Sequence, residues 1–211
     1  MCNNMQDRGQ RLQNFNLAHY RKIDKGRRFI HDRLNHGQIE ARVEMEMISD
    51  AVKAEDMKQY LDFLFWHYRL VDAFWYIFLE EEHGSDFANH FNEKVWSRVA
   101  SLAARDIVKR FNIQEKGLDR FVKAVSYFPW SILVGYDIER KPGEVIISVP
   151  ECPTQRARLN RQLPEYACKE MHRGEFVSFA KEIDPSIKVE CIHAPLDPHP
   201  PERFCQWRFT A

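Results

Sequence analysis

Four side chains able to bind a metal or serve a nucleophile crowd the end of the chain. Cys191, His193, His199 and Cys205 lie within "ECIHAPLDPHPPERFCQWRF", residues 190–209, around a knot of prolines. Thiolate and imidazole are preferred zinc ligands, and a thiol beside an imidazole is also the machinery of a cysteine nucleophile. Side chains alternate along a strand. In "SIKVECIHA", Ile187, Val189, Cys191 and His193 share one side, and Lys188 and Glu190 the other. In "RFCQWRFTA", Cys205, Trp207 and Phe209 oppose Gln206, Arg208 and Thr210. The apolar side of each strand must be the buried one. Pairing Val189 with Phe209 then sets Cys191 against Trp207 and His193 against Cys205. A closed tetrahedral zinc site needs one more ligand. Cys168, on a helix expected to cover this sheet, is the first choice, followed by Cys152 and His199. The alternative is a set of packed thiols beside a core histidine, because free cysteine is among the most buried residue types.

The elements that must position these groups read as helices first and strands later. "QIEARVEMEMISDAVKAED" spaces Ile39, Val43, Met47 and Ala51 four apart, as on an amphipathic helix. Residues 58–84 form a helix apolar almost all round, which places it in the middle of a domain. Gly84 ends that helix and Ser85 caps the next, where Phe91, Val95, Val99, Leu102 and Ile107 recur at helical spacing. A shorter helix over 116–128 stops before Pro129. "SILVGYDIER" (131–140) and "EVIISVP" (144–150) are strands around the turn "KPGE". Residues 153–183 are helical, with Pro164 kinking or dividing them. The fold class is therefore α+β, a helical N-terminal half packed on a mostly antiparallel sheet of about four strands with an inserted helix. Residues 1–36 read as a polar arm, and 37–211 as one domain, helical over 37–128 and sheet plus helix over 129–211.

Other residues offer a ligand site between helices and sheet. His67 and Asp72 interrupt the most apolar helix, and Tyr68, Asp72 and Tyr76 share one of its faces. A buried carboxylate is costly unless bonded, so Asp72 belongs either to a satisfied structural network or to a pocket lining. Arg156, Arg158 and Arg161 follow a helix start at Pro153, where one guanidinium could hold a carboxylate and the others form a solvated face. His67, Asp72, Tyr76, Arg156 and Trp207 are the candidate ligand-binding set.

Composition narrows the classes. Lysine plus arginine and aspartate plus glutamate are 31 each, for a formal charge of zero, which argues against a nucleic-acid partner. The basic run 19–34 is diluted by Asp24 and Asp32. No long apolar stretch suggests a membrane span and no apolar segment suggests a signal peptide, so a cytoplasmic protein is expected. Five cysteines there read as reduced thiols or metal ligands. Glycine-rich phosphate loops and G-x-S-x-G or H-E-x-x-H motifs are absent from the sequence.

Cys168 before "KEMHRGEF", Cys191 at a strand end and the closing "FCQWRF" resemble the 4-vinyl-reductase-like family of small-molecule-binding domains. The resemblance implies a structural zinc on Cys168, Cys191 and Cys205 beside an aromatic-ligand pocket. His193 and the proline loop depart from that family's pattern. Residues from about 40 onward also resemble an uncharacterised bacterial cytosolic group similar to L-2-amino-thiazoline-4-carboxylate hydrolases, on "WHYRLVDAFWYIFLEEEHG", "CPTQRAR" and "HAPLDPHPPERFCQWRF". The first expectation is thus a binding domain for a small organic ligand, braced by zinc on Cys168, Cys191, His193 and Cys205. A hydrolase of a C–N bond in a small heterocycle, using a cysteine thiolate or metal-bound water, is the second. A non-catalytic adaptor is the third, and a homodimer is compatible with each.

Overall fold

The computed structural model describes residues 52–211. The chain divides after Asp62 into two units, Met1–Asp62 and Phe63–Ala211. The expected polar arm (1–36), the basic run and the stripe Ile39, Val43, Met47 and Ala51 lie outside the described residues. A single 3-10 turn, Ala54–Asp56, precedes the first helix.

Six α-helices and four strands follow in the order α1 (Met57–His83), α2 (Ser85–Arg110), α3 (Gly117–Val125), α4 (Pro129–Val134), β1 (Asp137–Lys141), β2 (Glu144–Val149), α5 (Pro153–Asn160), α6 (Lys169–Ile183), β3 (Lys188–His193) and β4 (Cys205–Thr210). Helices lead and a four-stranded antiparallel sheet follows, so the class is α+β. The strand order β1-β2-β4-β3 puts the last strand at the centre of the two hairpins. The first hairpin turns at Gly143, whose φ of 71° is a conformation glycine adopts without strain. Ile147, Trp207 and Phe209 are fully buried on the covered face. Aromatic rings from the helices close over them: Phe121 of α3 lies 4.4 Å from Phe209, and Phe176 of α6 lies 5.4 Å from Trp207.

Four sequence expectations need correction. Residues 131–134 are helical, not the start of a strand. Pro129 has its φ fixed for a first helical turn, and Gly135 at φ 73° ends that turn in the left-handed region. Helix α1 is peripheral: none of its residues is fully buried. The buried face of α2 is Ala88, Trp96, Ala100, Ala104 and Ile107, whereas Phe91, Val95, Val99 and Leu102 are exposed. Small residues win the inner face because α2 lies close against α6. A side chain at Gly174 of α6 would overlap Ser97 Oγ of α2. Gly84, not Ser85, stands at the N-cap of α2. The Ser85 hydroxyl instead donates to Glu80 Oε1. None of the described helices is long and apolar enough to cross a membrane.

Candidate functional site

The β3–β4 register begins as the alternation argument requires, with Val189 opposite Phe209 and Cys191 opposite Trp207. It then slips. An irregularity between Cys191 and His193 leaves His193 opposite Gln206 rather than Cys205. A strand bulge of one residue redirects every side chain beyond it. His193 consequently faces the proline loop, its ring stacked 6.2 Å from His199. Burial lowers its pKa. His199 in turn meets Glu165 through Nε2 at 3.1 Å and the Pro200 carbonyl through Nδ1. Burial opposes charge on His199, but these acceptors raise its pKa. The two histidines therefore belong to the loop.

The thiols stand elsewhere. Cys168 and Cys205 are buried, and Cys152 and Cys191 are half-buried. Burial raises the Cys205 thiol well above its ordinary value, and proximity to Cys168 and Cys152 adds to the effect. Cys191 is raised by burial too, but its charged neighbours are Lys169 and Asp197, which pair at 2.8 Å. Among the described residues no group of three or more His, Cys, Asp or Glu side chains is arranged to hold a metal ion.

Cys168 does have chemical partners. It sits at the N-cap of α6, and its Sγ accepts from Gln155 Nε2 at 3.5 Å. Gln155 is itself locked: its Nε2 donates to the Tyr166 carbonyl, and its Oε1 accepts from the Tyr166 N–H. One turn along α6, His172 stands beside Cys168, its backbone N–H donating to the Cys168 carbonyl at 3.0 Å. The His172 Nδ1 to Glu175 Oε2 distance is 2.7 Å. Positions 168, 172 and 175 fall on one helix face because steps of four and three are neighbours there. Burial disfavours the imidazolium, yet Cys168 and Glu175 beside it hold the His172 pKa well above its usual value. Glu175 is fully buried and its other oxygen, Oε1, has no hydrogen-bond partner among the described residues.

Further polar groups converge on this chain of bonds. Burial pushes the Asp72 carboxyl up to about 6; a bond from Trp96 counters that rise, Glu175 adds to it and His172 opposes it. Tyr68 and Tyr136 have hydroxyls raised by burial, and both lie in the field of Glu175. Asp72 is thus in the interior cluster. The other expected ligand-binding residues are not. His67 is exposed on the opposite side of α1, its ring 5.8 Å from Phe63. The Tyr76 hydroxyl donates to Asn89 at 2.8 Å and its ring packs on Tyr166, tying helix to linker. Arg156 pairs with Glu151 at the surface, and Trp207 is packed within the core. Glu80 pairs with Arg158 of α5 at 2.9 Å. His172 and Glu175 are absent from the residues singled out by sequence. Their spacing from Cys168 is the signal that could have found them.

No curated protein matches the chain. Among solved structures it is similar to a trafficking protein particle complex subunit 3 from Naegleria fowleri, solved covalently bound to palmitic acid. The likeness has 12% identity over 72% of this chain and 95% of the other, with a TM-score of 0.42. Residues 51–211 match the family described as "Family of unknown function (DUF6125)", and the chain belongs to that family.

Proposed function

We propose that the chain is a thiol-dependent hydrolase of a C–N bond in a small molecule, with Cys168 as nucleophile, His172 as proton carrier and Glu175 as the carboxylate that orients it. The observation that carries this reading is the series Cys168, His172, Glu175 along one face of α6, with the imidazole 2.7 Å from its carboxylate and the thiol one turn before it. An imidazole fixed between a thiol and a carboxylate is the arrangement that activates sulfur for attack. The start of α6 adds N–H groups that favour negative charge beside Cys168. In the reaction, Cys168 Sγ bonds to the substrate carbon, the C–N bond breaks, and the leaving nitrogen takes a proton from His172. Water then adds to the same carbon, gives a proton to His172, and the C–S bond breaks to return Cys168 and His172 to their starting protonation states. The resemblance of residues from about 40 onward to a bacterial group that is itself similar to thiazoline-carboxylate hydrolases agrees with this bond class. The zinc-braced binding domain has less support, because His193 has turned to the loop and the described residues offer no gathered ligand set.

Alkylation by iodoacetamide, followed residue by residue by mass spectrometry at pH 7.5, tests the reading. Cys168 should react faster than the more exposed Cys191, and His172→Gln should slow Cys168 by roughly 10²-fold, the lower end of what a positioned imidazole contributes. Cys168 reacting no faster than Cys191 would refute it. So would one zinc per purified chain that Cys168→Ser removes.

A further inference from the structure

Helix α1 offers two opposed faces. Tyr68, Asp72 and Tyr76 turn toward the rest of the domain, where Tyr68 meets Trp96 and Tyr76 meets Asn89. The other side carries Trp66, Val71, Phe74 and Phe78, flanked by Trp75, all exposed, with Trp75 at 68% and Phe78 at 57%. Positions 67, 71, 74 and 78 follow the three-four steps of a helix seam. The charged residues between Phe63 and Leu79 are Arg69 and Asp72 alone. Neither lies on that outer stripe at 3.6 residues per turn. A monomer rarely exposes a contiguous apolar patch of more than a few hundred square ångströms.

We infer that this face of α1 is where a second copy of the chain docks, giving a two-fold helical interface. Taking roughly 200 Å² for a large aromatic side chain, Trp66, Val71, Phe74, Trp75 and Phe78 expose on the order of 600 Å². Each partner of the smallest standard interfaces buries about 600 Å². The chemistry favours a copy over other occupants. A face with no cationic fringe is poorly suited to an anionic membrane surface, where basic residues border the apolar stripe. An uncharged seam of aromatic and branched residues is complementary to itself, and a two-fold axis sets the same patch against its own image. The inference does not depend on the hydrolase reading, since it uses no residue of the Cys168 series.

Sedimentation velocity of the full chain at micromolar concentration tests it. A dimer is expected, and Phe74→Glu with Phe78→Glu should give a monomer with unchanged far-ultraviolet circular dichroism. Val71→Lys is the second variant should the double change impair folding, and it should weaken association at least tenfold. A monomeric wild-type chain overturns the inference, whether its α1 amides are protected from exchange by residues 1–51 or open to solvent. A dimer that survives both variants overturns it too, as does a monomer that binds zwitterionic vesicles through Phe74.

Discussion

Asp72 shows how burial inverts the usual behaviour of a carboxylate. Its pKa is raised from 3.8 to about 6, with burial the largest cause. Between those values the folded chain keeps a proton that the unfolded chain has released. Stability from this group is therefore present at low pH and lost as pH rises through that window. A rise of that size sets a ceiling of about 3 kcal/mol, and partial hydration lowers the real effect. His172 adds a loss of the same sign at higher pH, because its raised value means a proton held in the folded state. Asp72→Asn should therefore gain about 1–2 kcal/mol on wild type between pH 4.5 and pH 7.5, read from urea midpoints. A difference constant across that range would show the carboxyl to be effectively solvated. The site is partly legible in the residues. Cys168, Cys205 and Asp72 stand out as chemistry in apolar surroundings, and they do lie inside. His193 is misplaced by alternation because alternation presumes a regular strand, and nothing in "ECIHAP" announces the slip between Cys191 and His193. His172 and Glu175 escape a reading by sequence because charged residues in a helix suggest a solvated face, and only the fold shows that face turned inward.

At the level of elements, the contact between α2 and α6 is set by Gly174. A methyl group there would overlap Ser97 Oγ and lie 3.6 Å from Glu93 Cγ. Replacing a helical glycine by alanine ordinarily gains up to about 1 kcal/mol. Here the Ser97 hydroxyl must first rotate away. Gly174→Ala should therefore fail to stabilise, and Gly174→Ala combined with Ser97→Ala should recover about 0.5–1 kcal/mol over the single change, as a double-mutant cycle would measure. Gly174→Leu should cost about 1–3 kcal/mol by overpacking. Additive single changes would mean that the helices can separate freely at this point. The same contact explains which helices are legible. Boundaries at Gly84, Pro129 and Gly143 follow from local backbone chemistry, and the structure has them there. The inward face of α2 does not, because sequence periodicity assigns the largest apolar residues to the core. Close helix packing selects alanine and leaves Phe91 and Val95 outside. Likewise "SILVG" has β-branched character, but Pro129 and Gly135 bracket it as one helical turn.

Across the molecule, large apolar residues divide between a sealed core and an open face, and the two should answer mutation differently. Phe179 is almost fully buried, 5.3 Å from the Phe128 ring and 6.0 Å from that of Phe121, so it joins α6 to both segments beneath it. Truncating it leaves a cavity that neither the sheet nor α3 can fill without moving. Phe179→Ala should cost about 3–5 kcal/mol, a large part of the roughly 5–15 kcal/mol a domain ordinarily holds. Phe74 has a side chain of the same size and composition, but it stands on the outer face of α1. In a chain held monomeric by Val71→Lys, Phe74→Ala should change stability by less than about 0.5 kcal/mol. The comparison is made at one protein concentration and checked with urea melts followed by tryptophan fluorescence, since dimerisation itself would raise the wild-type midpoint. Equal costs at the two positions would mean that α1 has its outer face covered within a single chain. In that case the separation of core from contact surface, on which the two-fold assembly rests, would be lost.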